Sequence, residues 1–523
     1  MTESPVIAIP SRWVLTGSFF VSLLIGALPF PLPISFLLFE LFLTIFALFL
    51  FGSIRYRIDK NALTYGALLI IFATFYPHSP IKEAIASDGI SPFLGDVLPR
   101  LLSLTFLETI LHLDTMLFIL GLTFFVNVIA QTRMLETISM QILHWTGGSV
   151  FKTVLIIITL VSIASGIMDG VSMVGLTIRV LVFILIMAKV PPEDLKFITA
   201  VTVMVTCICG IWLAYGEPPN LIMKSNLGLP DSFFLIYAMP MAVITLILIA
   251  CFLYQRLKSA VIVMNDLDPM EDRIADVRFY QAMRGAEVLE SKGQLKTLWD
   301  GLGKEALMTI EKQRDAAALW GKIAFLPFIA LLIGHAKNHA VPLFLSSVVA
   351  FFVAMAGMLP YPKIRRNILH EAVEEYKEYL FLFPLFLSIA MLSEVGLFDM
   401  IKAGIVQGVM ALGKANMAAI QFIGSALLSA VLDNNVVADF ASRAIVGLPD
   451  LLLFSAAQIA GYATGGALTH IGSAQSVIAY AYILRHIDCR FTPFQWVQMV
   501  WKLIGTILLA LTGALYLIAY VLG

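Results

Sequence analysis

The strongest constraint on this fold is a series of apolar runs about as long as a membrane-spanning helix. A helix needs about 20 apolar residues to cross the hydrocarbon core of a bilayer. The run "FITAVTVMVTCICGIWLAYG" from Phe197 to Gly216 is one of many. Composition agrees, because 59% of residues are hydrophobic and only 13% are charged, against about 25% charged in a typical soluble domain. These features predict an all-α polytopic membrane protein.

The N-terminus and the cysteines allow two interpretations each. The apolar run after Trp13 could imitate a signal peptide, but a second apolar run follows after only "PLP". An uncleaved helical hairpin is therefore the favoured interpretation, and a cleaved signal is the alternative. The four cysteines form no disulfide framework. Cys207 and Cys209 would point to different faces of one helix, which favours core packing over metal binding.

One long polar segment divides the apolar sequence. We expect N-terminal membrane helices in 1–113, a first transporter repeat in 114–254, a cytoplasmic polar linker in 255–320, and a second repeat with a C-terminal helix in 321–523. A solvated helical linker is the favoured interpretation of the polar segment, and a regulatory domain is the alternative. The short basic loops "RYRIDK" and "KIRR" predict, by the positive-inside rule, that the N-terminus and the linker are cytoplasmic.

Polar interruptions recur in the two halves in the same order. The segment "SGIMDGVSMVG" from Ser165 matches "SAVLDNNVVAD" from Ser429 at an offset of 264. The segment "AYGEPPNLI" from Ala214 matches "LTHIGSAQSVI" from Leu468 at an offset of 256. Each half is thus predicted to hold a hairpin of short helices and a broken helix. Interrupted helices in corresponding positions of two halves indicate the binding site of a transporter.

The interruptions carry the residues expected to bind an ion. Irregular backbone at membrane depth is tolerated only where protein buries it or water lines it, and ionisable residues there are costly and usually functional. Carboxylates, amides, hydroxyls and carbonyls are hard ligands that suit Na⁺ and not soft transition metals. The hairpin tips supply Asp169, Asp433, Asn434 and Asn435, and the breaks are placed at Gly216–Asn220 and Thr464–Ser476, which contribute Glu217, Asn220, Thr464, His470, Gly472 and Ser473.

Three further charges, Arg179, Asp439 and Arg443, fall beside the interruptions and are candidates for coupling. Structural alternatives stay open for them. Arg443 and Asp439 are four apart and could form a simple ion pair, and Arg179 could extend to the membrane interface. In the same way, Glu217 could cap a half-helix, His470 could be a core histidine, and Asp433 could be structural. Glu108 and His112 share a helix face, but a metal site there lacks a second ligand group.

At these residues the chain resembles the ion transporter superfamily. "GEPPNLI" is similar to its Gly–acid–Pro–Pro–Asn signature, and "LDNNVVADF" resembles its second-half hairpin. "GGALTHIGSAQSVIAY" is similar to the Gly-rich break of NhaD-like antiporters. The resemblance covers about 115–482 without the linker. Two departures are the "MDGVSM" of the first hairpin, which lacks the Asn after the Asp, and His470, where an apolar residue is expected.

The resemblance implies two inverted repeats, each with a re-entrant hairpin and a broken helix. It also implies elevator-like movement of a transport domain against a scaffold, commonly in a dimer. The leading hypothesis is a Na⁺/H⁺ antiporter in the bacterial cytoplasmic membrane, because a buried carboxylate lets proton and sodium compete for one site. The alternative is an anion carrier for a dicarboxylate, citrate or arsenite. No nucleotide-binding or nucleophile motif indicates an enzyme or a cofactor, and the expected partners are lipid and small ions.

Overall fold

The computed structural model describes residues 7–53, 56–168, 170–263, 273–285, 298–338, 340–377 and 379–522. Helices account for nearly all the regular structure in these ranges, beside two short parallel strands that pair near the N-terminus, β1 (Ile7–Ile9) and β2 (Tyr56–Ile58). Among the described residues, eight helices are long and apolar enough to cross a membrane. The predicted all-α polytopic membrane class is therefore confirmed.

The described part of 1–113 contains six α-helices. They are α1 (Ser11–Gly26), α2 (Ile34–Ser53), α3 (Lys60–Phe75), α4 (Pro80–Asp88), α5 (Ile90–Leu101) and α6 (Leu104–Leu111). His112 ends α6 in the left-handed region at φ 49°, a conformation that histidine tolerates better than most residues. This turn separates α6 from the first helix of the following unit.

Seven helices follow before the linker. They are α7 (Leu113–Gln131), α8 (Met134–Trp145), α9 (Val150–Ser165), α10 (Gly170–Met187), α11 (Pro192–Cys207), α12 (Pro218–Leu227) and α13 (Asp231–Leu257). A short 3₁₀ turn, Cys209–Trp212, extends α11, and a π-turn, Phe234–Ala238, interrupts α13. Pro218 and Pro219 open α12, where their missing N–H groups would have no helical partner in any case.

The remaining helices contain the linker and the second half. They are α14 (Ile274–Arg284), α15 (Lys304–Lys337), α16 (Phe344–Ala356), α17 (Pro362–Lys377), α18 (Leu382–Glu394), α19 (Leu397–Leu412), α20 (Lys414–Ser429), α21 (Asn434–Ile445), α22 (Leu451–Leu468), α23 (Ala474–His486) and α24 (Pro493–Val521). Helix α15 runs without a break across the boundary predicted at 320.

The linker is not simply solvated, which corrects that expectation. Helix α14 packs against α8, α15 and α17, and Ile274, Val277 and Phe279 are buried. Arg314 of α15 lies 2.8 Å from the buried carboxylate of Asp276. The apolar spacing in this segment therefore serves docking onto the membrane unit, so one linker helix belongs to the packed body of the protein.

Candidate functional site

The described helices are interrupted in each of the four segments that the sequence alignment of the halves singles out, although the bounds of the two breaks differ from those predicted. The hairpin tips fall between α9 and α10, where 166–168 are described, and between α20 and α21, at 430–433. The broken helices lose helical structure over 213–217 and 469–473. The two hairpin tips are 264 residues apart and the two breaks are 256 residues apart, which are the offsets found in the sequence. The inverted orientation of the repeats stays a prediction, because equal positions of breaks do not fix the direction of the helices.

The short helices pack reciprocally across the two halves. Helix α10, which follows the first hairpin tip, packs against α23, which follows the second break. Helix α12, which follows the first break, packs against α21, which follows the second hairpin tip. Within each half, the first hairpin arm also packs against the first part of the broken helix, α9 on α11 and α20 on α22. The interruptions therefore meet in one region of the molecule.

The first break is pressed against the tip of the first hairpin. Ser162 Oγ donates to the carbonyl of Cys209 at 3.2 Å, and Trp212 Nε1 donates to the carbonyl of Ser162 at 3.1 Å. The amide of Gly170 donates to the carbonyl of Gly216 at 3.3 Å. A Cβ at position 216 would overlap the Ser165 carbonyl oxygen. Glycine at this position is therefore required by the close approach of two backbones.

Glu217 contacts the other half of the protein. It stands at the N-cap position of α12, but its side chain accepts no capping hydrogen bond there, so the capping alternative is not what the structure shows. Its side chain is 2% exposed, and Gln475 Nε2 donates to its two oxygens at 2.9 and 3.1 Å. A Cβ on Gly170 would collide with this pair. The carboxylate thus lies where α10, α12 and α23 meet.

Asn220 and Ser473 lie in the same region and are both buried. Asn220 donates to the carbonyl of Leu213 at 3.1 Å and accepts from the hydroxyl of Tyr462 on α22. Ser473 caps α23 by accepting from the Ser476 amide at 3.2 Å, and its oxygen lies 3.6 Å from Cys207 Sγ. Both residues therefore join parts of the first half to parts of the second.

The second hairpin tip holds a carboxylate and two amides. Asp433 caps α21, because its Oδ1 accepts from the Asn435 backbone amide at 2.9 Å and from the Asn435 side chain at 2.7 Å. Asn435 Oδ1 is buried and has no hydrogen-bond partner among the described residues. Asn434 is buried beside Gly466, whose Cα faces the Asn434 amide.

Two expectations for the second break need correction. Helix α22 continues to Leu468, so Thr464 and Gly465 lie within it and the break begins at Thr469. Thr464 Oγ1 bonds to the Ala460 carbonyl at 2.7 Å inside its own helix. Gly472 lies in the break, close to the carbonyls of Ser429 and Gly465. His470 also lies there, with its ring 4.6 Å from that of Tyr480 and a buried Nε2 that is unpartnered in the described structure.

The three candidate coupling charges divide into two places. Arg443 Nε donates to Asp439 Oδ1 at 3.0 Å, which is the ion pair that the spacing allowed. Arg179 lies away from the breaks, exposed beside a small cavity that Glu136 and Arg278 also line. The predicted hairpin residue Asp169 lies outside the described residues. Its place in the site stays a prediction.

Sequence reasoning missed Gln475, Tyr462 and Cys207 as members of this region. Gln475 follows the capping serine by two residues, in the segment already singled out, so attention to the first turn of α23 could have found it. Tyr462 and Cys207 lie within apolar runs and carry no local signal. Their part depends on packing between the halves.

Comparison with known proteins gives a family match over more than half of the chain. The model of the citrate transporter family CitMHS matches residues 46–341. An uncharacterized transporter of Mycobacterium bovis and one of Mycobacterium tuberculosis are each 27% identical over 188 residues, 36% of this chain and 41% of theirs. A 46 kDa membrane protein of Mycobacterium leprae is 25% identical over 32% of this chain and 38% of its own. The matched stretch thus spans about two fifths of these relatives.

A solved structure also aligns with the fold. The YdaH transporter of Alcanivorax borkumensis aligns with 79% of this chain and 89% of its own, with a TM-score of 0.43 and 13% sequence identity.

Proposed function

The chain belongs to the citrate transporter family CitMHS, and we propose that this secondary transporter exchanges Na⁺ for H⁺ across a bacterial cytoplasmic membrane. The observation that carries the proposal is the Glu217 carboxylate, buried at the meeting point of the two halves and met there by Gln475. The interruptions supply further oxygens. These belong to the backbone carbonyls of the breaks and to the side chains of Asn220, Asp433, Asn434, Asn435 and Ser473. Oxygen ligands of this kind suit a hard cation.

The N-termini of the short helices support a cation over an anion. A half-helix N-terminus binds anions through its free N–H groups. In α12 the first two residues are prolines, which have no N–H. In α21 and α23 the side chains of Asp433 and Ser473 already accept from backbone amides. Three of the four N-termini are therefore poorly equipped to hold a carboxylate or an oxyanion.

The positions of the basic residues point the same way. The first turns of α10, α12, α21 and α23 read "GVSM", "PPNL", "NNVV" and "AQSV", without Lys or Arg. The basic residues come later, and Lys224 and Arg443 are paired with Asp231 at 2.7 Å and Asp439 at 3.0 Å. A polycarboxylate would have to share the region with Glu217 and Asp433 without a Lys or Arg in the first turn of any of these four helices.

The second candidate is an anion carrier for a dicarboxylate, citrate or arsenite. The family match favours it, because the family is described by citrate transport. The four helix starts do converge, and α10 has no proline in its first turn. The choice between the two candidates depends on the ion that drives proton movement.

Proton flux in liposomes distinguishes the two candidates. Purified protein is reconstituted with a pH dye inside, and NaCl, LiCl, KCl, citrate and arsenite are added in turn. We expect Na⁺ to drive proton movement, Glu217→Gln to abolish it, and the exposed Glu305→Gln to leave it intact. Proton movement that citrate evokes and that is indifferent to Na⁺ would overturn the antiporter and favour the anion carrier.

A further inference from the structure

A second buried polar cluster lies where the α6–α7 turn meets α12 and α21. His112 Nε2 is 3.5 Å from Asp439 Oδ1. The same oxygen accepts from Arg443 Nε at 3.0 Å and from Asn226 Nδ2 at 2.7 Å. Asn226 also donates to Ser442 Oγ at 2.7 Å. One carboxylate oxygen therefore has three polar neighbours from three parts of the chain.

The histidine and the carboxylate of the cluster are buried, and the cluster is incompletely hydrogen-bonded. His112 is 2% exposed and Asp439 is fully buried. Both ring nitrogens of His112, Asp439 Oδ2 and Arg443 Nη2 are buried without a hydrogen-bond partner in the described residues. Buried polar atoms are nearly always hydrogen-bonded, so four exceptions in one cluster need a physical cause. A proton on Nε2 supplies that cause for one of the four atoms, because this nitrogen could then donate to Asp439 Oδ1, 3.5 Å away.

The other groups around His112 are engaged elsewhere or apolar. Glu108 of α6 accepts from the Asp114 amide at 3.1 Å, and Asp114 of α7 caps α16 by accepting from the Leu343 and Phe344 amides at 3.0 Å. Phe386 of α18 presents its ring to the imidazole, with centroids 5.2 Å apart. Lys224 of α12 is paired with Asp231. Asp439 and Arg443 are therefore the charges that face His112 in the described part of the chain.

We propose that His112 and Asp439 form a proton-binding site of this transporter, separate from the ion site at the helix breaks. The inference rests on the proposed proton coupling. When His112 is neutral, the negative charge of Asp439 and the positive charge of Arg443 cancel, so the cluster carries no net charge. A proton taken from water onto Nε2 turns the 3.5 Å approach into a charge-assisted hydrogen bond to Asp439 and gives the cluster one net positive charge. That bond clasps the α6–α7 turn to α21.

The position of the site gives the proton a mechanical effect. Asp439 lies on the helix that begins at the Asp433 tip, and Asn226 lies on the helix that begins after Glu217. His112 lies outside the broken elements, at a turn between two helices that carry neither interruption. Protonation of His112 therefore strengthens the attachment of both ion-site helices to the surrounding helices, and proton release loosens it.

Titration of the histidines by NMR tests the site without measuring transport. Purified protein with isotope-labelled histidine is titrated, and the His112 signal is identified by its loss in His112→Gln. We expect the change of this signal with pH to depend on the neighbouring carboxylate, so that Asp439→Asn moves it to lower pH. The exposed His370→Gln removes a different signal and leaves the His112 midpoint unchanged.

A third variant keeps both His112 and Asp439, and it tests the site even if His112→Gln or Asp439→Asn does not fold. Asn226→Leu removes one donor to Asp439, which leaves more of its charge for His112, so one histidine midpoint should rise. In liposomes, His112→Gln should flatten the pH profile of transport while the KM for Na⁺ changes little. A His112 midpoint indifferent to Asp439→Asn and Asn226→Leu would overturn the site. A normal titration in a protein without Na⁺-driven proton flux would instead refute only the proposed exchange.

Discussion

At the scale of single residues, Gln475 joins the two halves of the molecule at one carboxylate. Its amide is a donor from α23 to Glu217 at the start of α12. A hydrogen bond to a charged group contributes about 1.5–3 kcal/mol, and a buried carboxylate that loses it keeps its full desolvation cost. The pair therefore links the stability of the fold to the state of the ion site.

Replacing Gln475→Leu should lower the thermal unfolding midpoint of the purified protein, because Glu217 loses this donor. The exposed Gln407→Leu on α19 is the matched control and should change the midpoint little. The loss should be smaller in a Glu217→Gln background, where no charge is left to stabilise. Equal losses in both backgrounds would show that the amide does not act through the carboxylate.

Gly216 is a second residue whose role follows from geometry. A methyl group at this position meets the Ser165 carbonyl, so Gly216→Ala has to push the hairpin tip away from the break. We expect transport to fall at least about tenfold, equivalent to about 1.4 kcal/mol, with protein yield retained. Gly424→Ala in α20 has open space around it and is the control. Full activity of Gly216→Ala in the liposome assay would show that the close approach is not needed for transport.

At the scale of elements, the sequence predicts the interruptions because prolines, glycines and acids inside apolar runs are costly in an unbroken membrane helix. The tip before Asn434 lies where the spacing places it. The first break is predicted at Gly216–Asn220 but spans 213–217, because Pro218 and Pro219 open α12 instead of interrupting it. The second break was placed too early. Gly465 and Gly466 look like helix breakers, but Gly465 instead lets α22 lie against the Ala426 backbone. Sequence alone does not distinguish a glycine that breaks a helix from one that packs it.

The partners across the halves could not be predicted, because nothing local marks them. Tyr462 reaches Asn220 and Cys207 reaches Ser473 only once the two halves are packed. The spacing of four residues predicts the pair of Asp439 with Arg443, whereas no local pattern joins His112 to the same cluster. Sequence therefore indicates which segments form the site, and tertiary packing decides which side chains meet.

The ion pair between Asp276 of the linker helix α14 and Arg314 of α15 leads to another prediction. Burial raises the pKa of Asp276, an effect that Arg314 beside it opposes. Arg314→Met removes that cation, and breaking a buried pair costs about 3–5 kcal/mol. Amide hydrogen exchange in α14 should therefore quicken relative to wild type. Without Arg314, the pKa of Asp276 in the docked helix is raised further. The docking of α14 in the variant is therefore weakened as pH rises and Asp276 loses its proton. The difference in exchange rate between variant and wild type should be larger at pH 8 than at pH 5.

The control for this prediction lies on the same helix as Arg314. Lys312→Met removes an exposed cation two residues away and should leave exchange in α14 unchanged at both pH values. Exchange in Arg314→Met that equals wild type would show that apolar contacts alone, such as those of Ile274 and Val277, hold the linker helix in place.

At the scale of the whole molecule, the reciprocal packing of α10 with α23 and α12 with α21 makes the interrupted elements one physical unit. Elevator-like movement, which the resemblance implies, requires such a unit to move as a body against the other helices. Each half therefore packs its hairpin against the broken helix of the other half. We expect a broken helix and the hairpin of the other half to move together. Membrane orientation and a dimer stay predictions, since neither follows from contacts within one chain.

Two cross-links test whether this unit moves as a body. Lys196 of α11 and Asp488 after α23 are 3.1 Å apart and join parts of the two halves within the unit. Phe42 of α2 and Phe440 of α21, with rings 6.5 Å apart, join the unit to the N-terminal helices. Each pair is changed to cysteine in a Cys251→Ser, Cys489→Ser background and joined with a short bis-maleimide. We expect the Phe42–Phe440 link to arrest transport and the Lys196–Asp488 link to leave it within about twofold, because only the first crosses the moving boundary.

Arrest by the Lys196–Asp488 link would show that the two halves slide past each other during transport. The control is each single-cysteine variant treated with the same reagent, which separates the effect of the cross-link from that of labelling alone.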